Sequence, residues 1–502
     1  MGKDIAPGPQ ERRFAAYIEG LAEAAGHVDR NVPLKSYCTA LLLPGERKSV
    51  EPMAARLAPD NVRRMHQSLH HVVADAPWND EAVLDRCLDF VLPAMLRQEP
   101  VVAWVVDDTG FPKKGQESVG VARQYCGQVG KQDNCRVAVS LSVTTEKASM
   151  PIAFRLYLPE AWTKDRKRRK KTGVPDEIKF QTKAQIALEQ IQRARERGIP
   201  EGVVLADAGY GNDTSFRTAL TGMELTYVMG VQSTVTVWKP GEEPKPAPAR
   251  QGSTGRPRKL LQRDSKHQPV SAKELATSLP AEAWYKVTWR QGVKKKLQSR
   301  FAALRVRPAH RDYWRAEPHP EEWLLIEWPS GETEPTKYWL STLSVDTPLV
   351  EFVHMAKHRW IIERDYQELK QELGLGHYEG RGWRGFHHHA TLCIAAYGFL
   401  VAERNRFSPS ARIGNLGLPA PEPPTDFRPR GSAFVPSGII RVRLLLFESF
   451  LPVTCWGGCL TAPSAGRYPA DPPHRCRPQS RNWPDANGSA RISKSHPTVP
   501  LH

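Results

Sequence analysis

Residues 101–110, VVAWVVDDTG, give the clearest indication of the fold class. A nearly continuous apolar run that stops at two aspartates is typical of a strand buried on both faces of a sheet. Residues 202–211, GVVLADAGYG, form a similar run that stops at Asp207. The β-like stretches CRVAVSLSVTTE and MPIAFRLYLP, a helical pattern, KAQIALEQIQRARERG, and a last strand, LTYVMGV, complete the series. This order predicts an α/β fold in which helices cover a mixed sheet.

The chain is strongly basic. Its 502 residues include 71 Lys and Arg against 54 Asp and Glu, which gives a net charge of +17. This balance indicates a polyanionic partner, most often nucleic acid, although a ribosome or a membrane surface would suit the charge equally. No apolar run approaches the roughly 20 residues that span a bilayer, and the N-terminus lacks the apolar core of a signal peptide. Eight cysteines do not suggest a disulfide framework, so we expect a cytoplasmic protein.

Changes in composition divide the chain into five segments. We predict a helical domain at 1–98, the first part of the mixed-sheet core at 99–234, a mostly β insertion at 235–345, the second part of the core at 346–405, and a low-complexity tail at 406–502. Pro, Arg, Ser and Gly dominate the tail, which we expect to be largely disordered. Whether the tail is native or read out of frame stays open.

Two basic segments are candidate DNA-binding elements. Residues 49–73 resemble a helix-turn-helix with Asp60 as N-cap and with Arg63 and Arg64 near the start of the second helix. The alternative is a helical bundle whose basic face is solvated and does not contact DNA. The run KDRKRRKK at 164–171 predicts phosphate contacts by Arg166, Arg168 and Arg169, or else a solvated loop. The histidines at 387–389 are expected to form a polar helix face near DNA.

The stretch 359–374, RWIIERDYQELKQELG, predicts an amphipathic helix. Arg359, Glu363 and Lys370 lie on one stripe at helical spacing, at the edge of an apolar stripe. These residues could form a ladder of surface ion pairs. Alternatively, Glu363 could be an acid positioned for chemistry on phosphate, with Arg359 and Lys370 beside it. Carboxylates from two strand ends and one helix can converge on a point, and three of them suit Mg²⁺. Asp207, Glu363 and one aspartate of the pair Asp107 and Asp108 are therefore candidate metal ligands.

The ordered set of motifs resembles the DDE-type transposases of bacterial insertion sequences, whose catalytic domain has an RNase H-like fold. One branch has the signature Tyr, two residues, Arg, three residues, Glu, six residues, Lys, and Arg359, Glu363 and Lys370 match it in identity and spacing. Ala356 replaces the tyrosine. The stretches DDTGFPKKG, VGVARQYCGQVGKQDNC and LADAGYG, and the long β insertion, are also similar to that branch over residues 10–403.

The resemblance implies roles for these residues. The first aspartate is Asp107, which precedes Thr109 in the branch's pattern, with Asp108 as the alternative, since only one of them can face the site. Asp207 and Glu363 complete the catalytic and metal-binding set for Mg²⁺, with Mn²⁺ as a substitute. Arg359 and Lys370 contact DNA phosphates.

The activity that the resemblance implies is cutting of double-stranded DNA at the element ends and joining of the freed 3′-hydroxyl to target DNA, with a homodimer in the synaptic complex. Two alternatives stay open. One is an RNase H-fold nuclease that cuts without strand transfer, and the other is a degenerate remnant that only binds DNA.

Overall fold

The segment before the sheet is helical, as predicted. In this computed structural model, residues 8–97, 99–247, 259–292 and 296–406 are described, so the predicted tail beyond Arg406 lies outside the described residues. The helices are α1 (Pro9–Ala24), α2 (Val28–Leu42), α3 (Val50–Leu57), α4 (Val62–His70) and α5 (Asp80–Leu96). A 3₁₀ turn at Pro59–Asn61 separates α3 from α4. The N-cap of α4 is therefore Asn61, whose side chain accepts from the backbone N–H of Arg64, and the prediction of Asp60 was wrong by one residue.

The core follows the predicted order, with one additional strand. Its elements are β1 (Ala103–Pro112), β2 (Ala122–Cys126), β3 (Lys131–Thr144), β4 (Ser149–Leu156), α6 (Glu160–Lys164), α7 (Arg166–Thr172), α8 (Lys183–Glu196), β5 (Val203–Ala206), α9 (Ala208–Gly211), α10 (Thr214–Gly222) and β6 (Tyr227–Val231). The strand β2 was not predicted from the sequence. The basic run at 164–171 contributes the helix α7, whose N-cap is Asp165, and does not form a loop.

The sheet has the strand order of an RNase H-like domain. β4 pairs with β3, and β3 pairs antiparallel with β1. β1 then pairs parallel with β5, and β5 pairs parallel with β6. The predicted fold class, an RNase H-like mixed sheet flanked by helices, is confirmed.

The insertion extends this same sheet. Its elements are β7 (Thr236–Trp238), β8 (Val270–Ser271), α11 (Ala272–Thr277), β9 (Tyr285–Gln291), β10 (Lys296–Pro308), β11 (Glu322–Trp328) and β12 (Lys337–Ser341). β12 pairs antiparallel with β6, and β11 and β10 follow outward, so twelve strands form one sheet in the described part of the chain. Under the outer strands lies a separate apolar cluster that includes Val237, Leu275 and Leu324. The predicted domain boundaries stay a prediction.

Three helices complete the core: α12 (Leu349–His358), α13 (Ile361–Gln371) and α14 (Trp383–Arg406). The amphipathic helix predicted over 359–374 is α13, which begins at Ile361, because Trp360, Ile362 and Glu363 donate backbone hydrogen bonds to the carbonyl three residues earlier. This tighter turn separates α12 from α13. The predicted apolar stripe is confirmed as buried core.

The three histidines at the start of α14 are buried, so their predicted role as a polar face near DNA was wrong. His387 Nε2 accepts from the Leu156 backbone N–H, and His388 Nε2 donates to the carbonyl of Trp78 while its ring stacks on that indole. His389 Nε2 donates to the carbonyl of Gly374. The sequence of α14 alone could not show that these histidines are buried. Their partners lie in α2, in the segment before α5, in β4 and in the loop after α13.

These contacts join the N-terminal helices to the core. His389 Nδ1 accepts from the Tyr37 hydroxyl at 2.9 Å, and burial lowers the pKa of His388 and of His389 to about 4. Both rings are neutral in the fold, while in the unfolded chain they bind protons near pH 6.5. Stability is therefore lost as the pH falls from about 6.5 to about 4.

We predict that His389→Gln flattens this acid dependence. In wild-type protein the unfolding free energy should fall by about 3 kcal/mol per histidine between pH 7 and pH 4, from 1.36 kcal/mol per pKa unit. Urea unfolding at both pH values measures the slope. The exposed His354 provides a matched control, and His354→Gln should leave the slope unchanged. Equal slopes for wild type and His389→Gln would contradict the prediction.

Candidate active site

Two candidate acids lie at the carboxyl ends of neighbouring parallel strands. In the pairing of β1 with β5, Ala103 is opposite Val203 and Val105 is opposite Leu205, so continuation of this register brings Asp107 beside Asp207. Neighbouring strands lie about 4.8 Å apart. Asp207 ends β5 and caps α9, where its Oδ1 accepts from the Gly209 backbone N–H at 2.9 Å.

The second glycine of the motif LADAGYG, Gly211, is required by close packing against β6. A Cβ atom on Gly211 would lie 1.9 Å from the carbonyl oxygen of Gly230 on β6. Because only glycine allows this approach, α9 can lie directly against β6 and hold Asp207 at the end of β5. The motif therefore positions the acid through the backbone.

Asp107 and Asp108 point to opposite faces of β1, as strand alternation requires. Asp107 accepts from Arg359, with Oδ1 at 3.0 Å from Nη1. Asp108 pairs with Lys183 at 2.5 Å and accepts from the Tyr210 hydroxyl at 2.5 Å. The face that Asp107 occupies is thus shared with Arg359, whereas Asp108 joins β1 to α8 and α9.

The third candidate acid lines the same cavity as the second. A cavity of about 380 Å³ is lined by Asp207, Arg359 and Glu363, together with Ala356 and residues of β5, β6 and β12. Glu363 is exposed in the first turn of α13. Neither predicted neighbour pairs with it, since Arg359 is bound to Asp107 and Lys370 Nζ donates to the carbonyl of Gly110 at 3.0 Å. The structure therefore does not contain the surface ladder that the helix pattern alone allows.

The electrostatic environment of Asp107 is unfavourable to its charge. Its pKa is raised to about 7, chiefly by burial; the Arg359 guanidinium lowers it, and the negative charges of Asp207 and Asp108 raise it. Burial also lowers the pKa of Lys370, whose ammonium lies 5.2 Å from the centre of the Phe111 ring. Perturbed groups in one cleft are typical of functional sites.

The donor set suits a hard divalent cation in its chemistry, because all three candidate groups are carboxylates. Asp107 and Asp207 are on neighbouring strand ends, and Glu363 shares a cavity with Asp207. As the side chains stand, however, the described ranges contain no group of three His, Cys, Asp or Glu residues that could hold a metal ion. Holding one ion with all three carboxylates therefore requires their side chains to rearrange.

The predicted DNA-binding arginines lie elsewhere. Arg63 and Arg64 are exposed on α4, and Arg166 is exposed on α7. The other two arginines of α7 are engaged within the protein: Arg168 stacks 3.7 Å from the Trp162 ring, and Arg169 donates to the carbonyls of Pro175 and Ile178. Both helices border a second cavity of about 530 Å³, through His66 and His70 of α4 and through Thr172 of α7.

Sequence reasoning missed three residues around the acids. Lys183 and Tyr210 hold Asp108, and Lys357 lines the acid cavity. Tyr210 belongs to the motif LADAGYG, so it could have been noticed. No sequence pattern marks Lys183 or Lys357, because their partners are distant in the chain.

Comparison with known proteins agrees with this fold. The family model described as "DDE superfamily endonuclease" matches residues 20–296, more than half of the chain. The matched range includes Asp107 and Asp207 and ends before Glu363. A relative from Microchaete diplosiphon, "Probable transposase for insertion sequence element IS701", is 31% identical over 189 residues, which are 38% of this chain and 45% of the relative. The match thus spans less than half of that relative's length.

An RNase H-like sheet with aspartates at adjacent strand ends defines a class of nucleic-acid-cutting proteins. The chain belongs to the DDE superfamily of endonucleases. Endonucleases of this superfamily generally use divalent metals. Within the described residues, no helix has the length and apolar character needed to cross a membrane.

We predict that Asp107→Asn stabilises the protein at pH 8. The pKa of Asp107 is raised from about 3.8 to about 7, so its contribution to stability falls as the pH rises through that window. Relative to wild type, the unfolding free energy of Asp107→Asn should be higher at pH 8 than at pH 4 by on the order of 2–4 kcal/mol. Chemical unfolding at the two pH values measures this.

Asp108→Asn is the control, because it weakens the ion pair with Lys183 on the opposite face. We expect it to be neutral or destabilising, by about 1 kcal/mol or less. If Asp107→Asn is less stable than wild type at pH 8, the charge of Asp107 does not destabilise the fold and the prediction is wrong.

Proposed function

We propose that this protein is a DNA transposase of a bacterial insertion sequence. It cuts phosphodiester bonds at the ends of the element and joins the 3′-hydroxyl to target DNA by metal-ion catalysis. The observation that carries the proposal is the parallel register of β1 and β5, which brings Asp107 and Asp207 together beside the cavity that Glu363 lines. Membership of the endonuclease superfamily and the similarity to an insertion-sequence transposase support it.

In this mechanism Asp107, Asp207 and Glu363 hold Mg²⁺, with Mn²⁺ as a substitute. A bound divalent ion would supply Lewis acidity at the scissile phosphate and would lower the pKa of the attacking water or 3′-hydroxyl. Asp107 would act as a ligand in its ionised form, and Arg359 contacts only its Oδ1. The other N–H donors of the planar Arg359 guanidinium match two phosphate oxygens.

The two chemical steps use one site. In the first, water attacks phosphorus at the element end, the bond from phosphorus to the 3′ oxygen breaks, and that oxygen takes a proton. In the second, the resulting 3′-hydroxyl attacks a phosphorus of target DNA, and the target's own 3′ oxygen leaves. Each step replaces one phosphorus–oxygen bond by another, so no redox partner is needed.

Double-stranded DNA, both element ends and target, is the proposed partner. Arg63 and Arg64 on α4 and Arg166 on α7 are exposed and positively charged, which supports their contact with phosphates. Lys370, Arg168 and Arg169 are proposed contacts as well, although each already has an intramolecular acceptor or ring partner. Two ends must be held together for joining, so we propose a homodimer in the synaptic complex.

The five described cysteines, Cys38, Cys87, Cys126, Cys135 and Cys393, are buried free thiols. This supports a reducing compartment, and we propose that the protein acts in the cytoplasm.

We predict that Asp107→Asn, Asp207→Asn and Glu363→Gln each reduce cleavage by about a thousandfold or more, because each removes a charged ligand. The substrate is a linear duplex carrying the gene with its flanking DNA, incubated with Mg²⁺. Binding of the same duplex should change less than about twofold. Asp108→Asn is the matched control and should retain cleavage. Full cleavage by any of the three variants would remove that residue from the mechanism.

The same assay separates the alternatives. Precut ends that are joined to a plasmid support transposition, whereas cleavage without joining would indicate a nuclease. The degenerate remnant is favoured by Ala356 and by the absence of a ready three-carboxylate group among the described residues. It would bind DNA without any metal-dependent nicking.

We predict that Arg63→Ala and Arg64→Ala weaken DNA binding and reduce its salt dependence. Each lost phosphate contact should lower the slope of log affinity against log salt by about 1. Fluorescence anisotropy titrations at salt concentrations between about 50 and 300 mM measure this slope. Lys239→Ala removes an exposed cation from the insertion and serves as the control. An unchanged slope in the two α4 variants would exclude that helix from DNA contact.

A further inference from the structure

The side chain of Lys357 is enclosed by the insertion. It lies in the last turn of α12, two residues before Arg359 and six before Glu363. Its ammonium pairs with Glu327 of β11 at 2.5 Å, and the two side chains are only 13% and 4% exposed. Three rings surround it, with centroids at 4.5 Å for Trp289, 5.2 Å for Trp339 and 5.6 Å for Phe301.

Each of the four partners comes from a different strand. Trp289 is on β9, Phe301 on β10, Glu327 on β11 and Trp339 on β12. The cage therefore forms only when the strands of the insertion are paired in register. One lysine on α12 thus contacts four strands of the insertion, on the helix that leads to Glu363.

The junction after Lys357 needs such an anchor. The backbone ladder is interrupted between α12 and α13, where Trp360 and Glu363 donate to carbonyls three residues earlier. An interrupted ladder does not transmit the direction of one helix to the next as a continuous helix does. The direction of α13, and with it the position of Glu363, depends on contacts outside the helix.

A second contact holds the same junction. Trp360, which is 38% exposed, stacks on the guanidinium of Arg290 at 3.9 Å. Arg290 follows Trp289 on β9, so the two successive residues hold Trp360 and Lys357. The strand β9 thereby contacts the chain on both sides of Arg359.

We propose that Lys357 is a positioning residue for the reaction: its ion pair with Glu327 inside the aromatic cage orients Arg359 and Glu363 toward Asp107 and Asp207. The inference deepens the proposed function and rests on it. It gives the insertion a task within the catalytic site, in addition to any contact with DNA.

A charge at this position is not required for packing alone. Burial lowers the pKa of Lys357, which shows that the environment disfavours the ammonium, and Glu327 compensates. Replacing a buried ion pair by apolar side chains is often neutral or stabilising, so the benefit of such a pair is a single defined geometry. A methionine would fill the same space without selecting that geometry.

The test compares Lys357→Met with Arg263→Met. Arg263 forms a similar pair in the insertion: it binds Asp312, the side chains are 21% and 1% exposed, and the guanidinium lies 5.1 Å from the Tyr313 ring. It is not among the residues that line the acid cavity. Both variants lose one partner of a partly buried pair, but only one pair contacts the junction.

We expect Lys357→Met to lower the cleavage rate at saturating DNA by about 10- to 100-fold, as small displacements of catalytic groups do. The concentration of Mg²⁺ that gives half-maximal cleavage should rise, while the affinity for DNA stays within about twofold. Lys357→Arg, which keeps a charge in the cage, should restore part of the rate. Arg263→Met should cleave at close to the wild-type rate.

Hydrogen exchange supplies a readout that does not depend on activity. In Lys357→Met the amides of residues 359–371 should exchange faster, while those of α14 and of β1 stay protected. Equal exchange at 359–371 in Lys357→Met and Arg263→Met, or equal cleavage by the two, would overturn the inference. If wild-type protein does not cleave DNA, the proposed function fails, and the exchange result alone still decides whether Lys357 holds the junction.

Discussion

The parallel pairing of β1 with β5 is the constraint on which the rest of the site depends. Antiparallel neighbours would put their carboxyl ends at opposite edges of the sheet, and Asp107 and Asp207 would then lie far apart. Parallel pairing requires a long crossover, and the chain supplies it through β2, β3, β4 and the helices α6 to α8. Trp104 secures this pairing from the core, since it is fully buried and its indole N–H donates to the carbonyl of Pro200. The sheet is therefore built to bring two carboxylates together.

Such proximity costs stability, and the surroundings limit this cost. Asp107 is disfavoured by burial and by its acidic neighbours, and Arg359 offsets part of that penalty. Asp108, on the other face of the strand, has two partners of its own in Lys183 and Tyr210. The two adjacent aspartates thus affect the fold differently. The charge of Asp107 is destabilising, whereas Asp108 links β1 to α8 and α9. This division is typical of functional sites, where strain at one residue is balanced by ordinary stabilising contacts next to it.

The third acid depends on parts of the chain that are remote from the strands. Glu363 is carried by α13, and α13 starts at a junction held by the insertion through Lys357 and Trp360. Below the helix the buried stripe that includes Ile362, Tyr366 and Leu369 packs on the core. Helix α14 then closes the core and joins it to the N-terminal helices through its histidines. In the described part of the chain, direct contacts therefore connect the sheet, the insertion and the N-terminal helices.

Much of this could be predicted from the sequence. The periodic apolar runs determine where strands and helices form, because side chains alternate along a strand and repeat every 3.6 residues along a helix. The order of strands and helices along the chain, the position of Asp207 after β5 and the apolar stripe of α13 follow from such local rules. The spacing of Arg359, Glu363 and Lys370, together with the aspartates, led to the correct superfamily.

The tertiary structure decided what local rules cannot reach. It determined which partners Asp107 and Asp108 meet on the two faces of β1, directed Arg359 to an acid 252 residues away, and buried three histidines that look polar in the sequence. It also revealed Lys357, whose partners are spread over four strands. The physical reason is that ion pairs, burial and cavities depend on distances in space, and residues far apart in the chain meet only when the sheet has assembled around them.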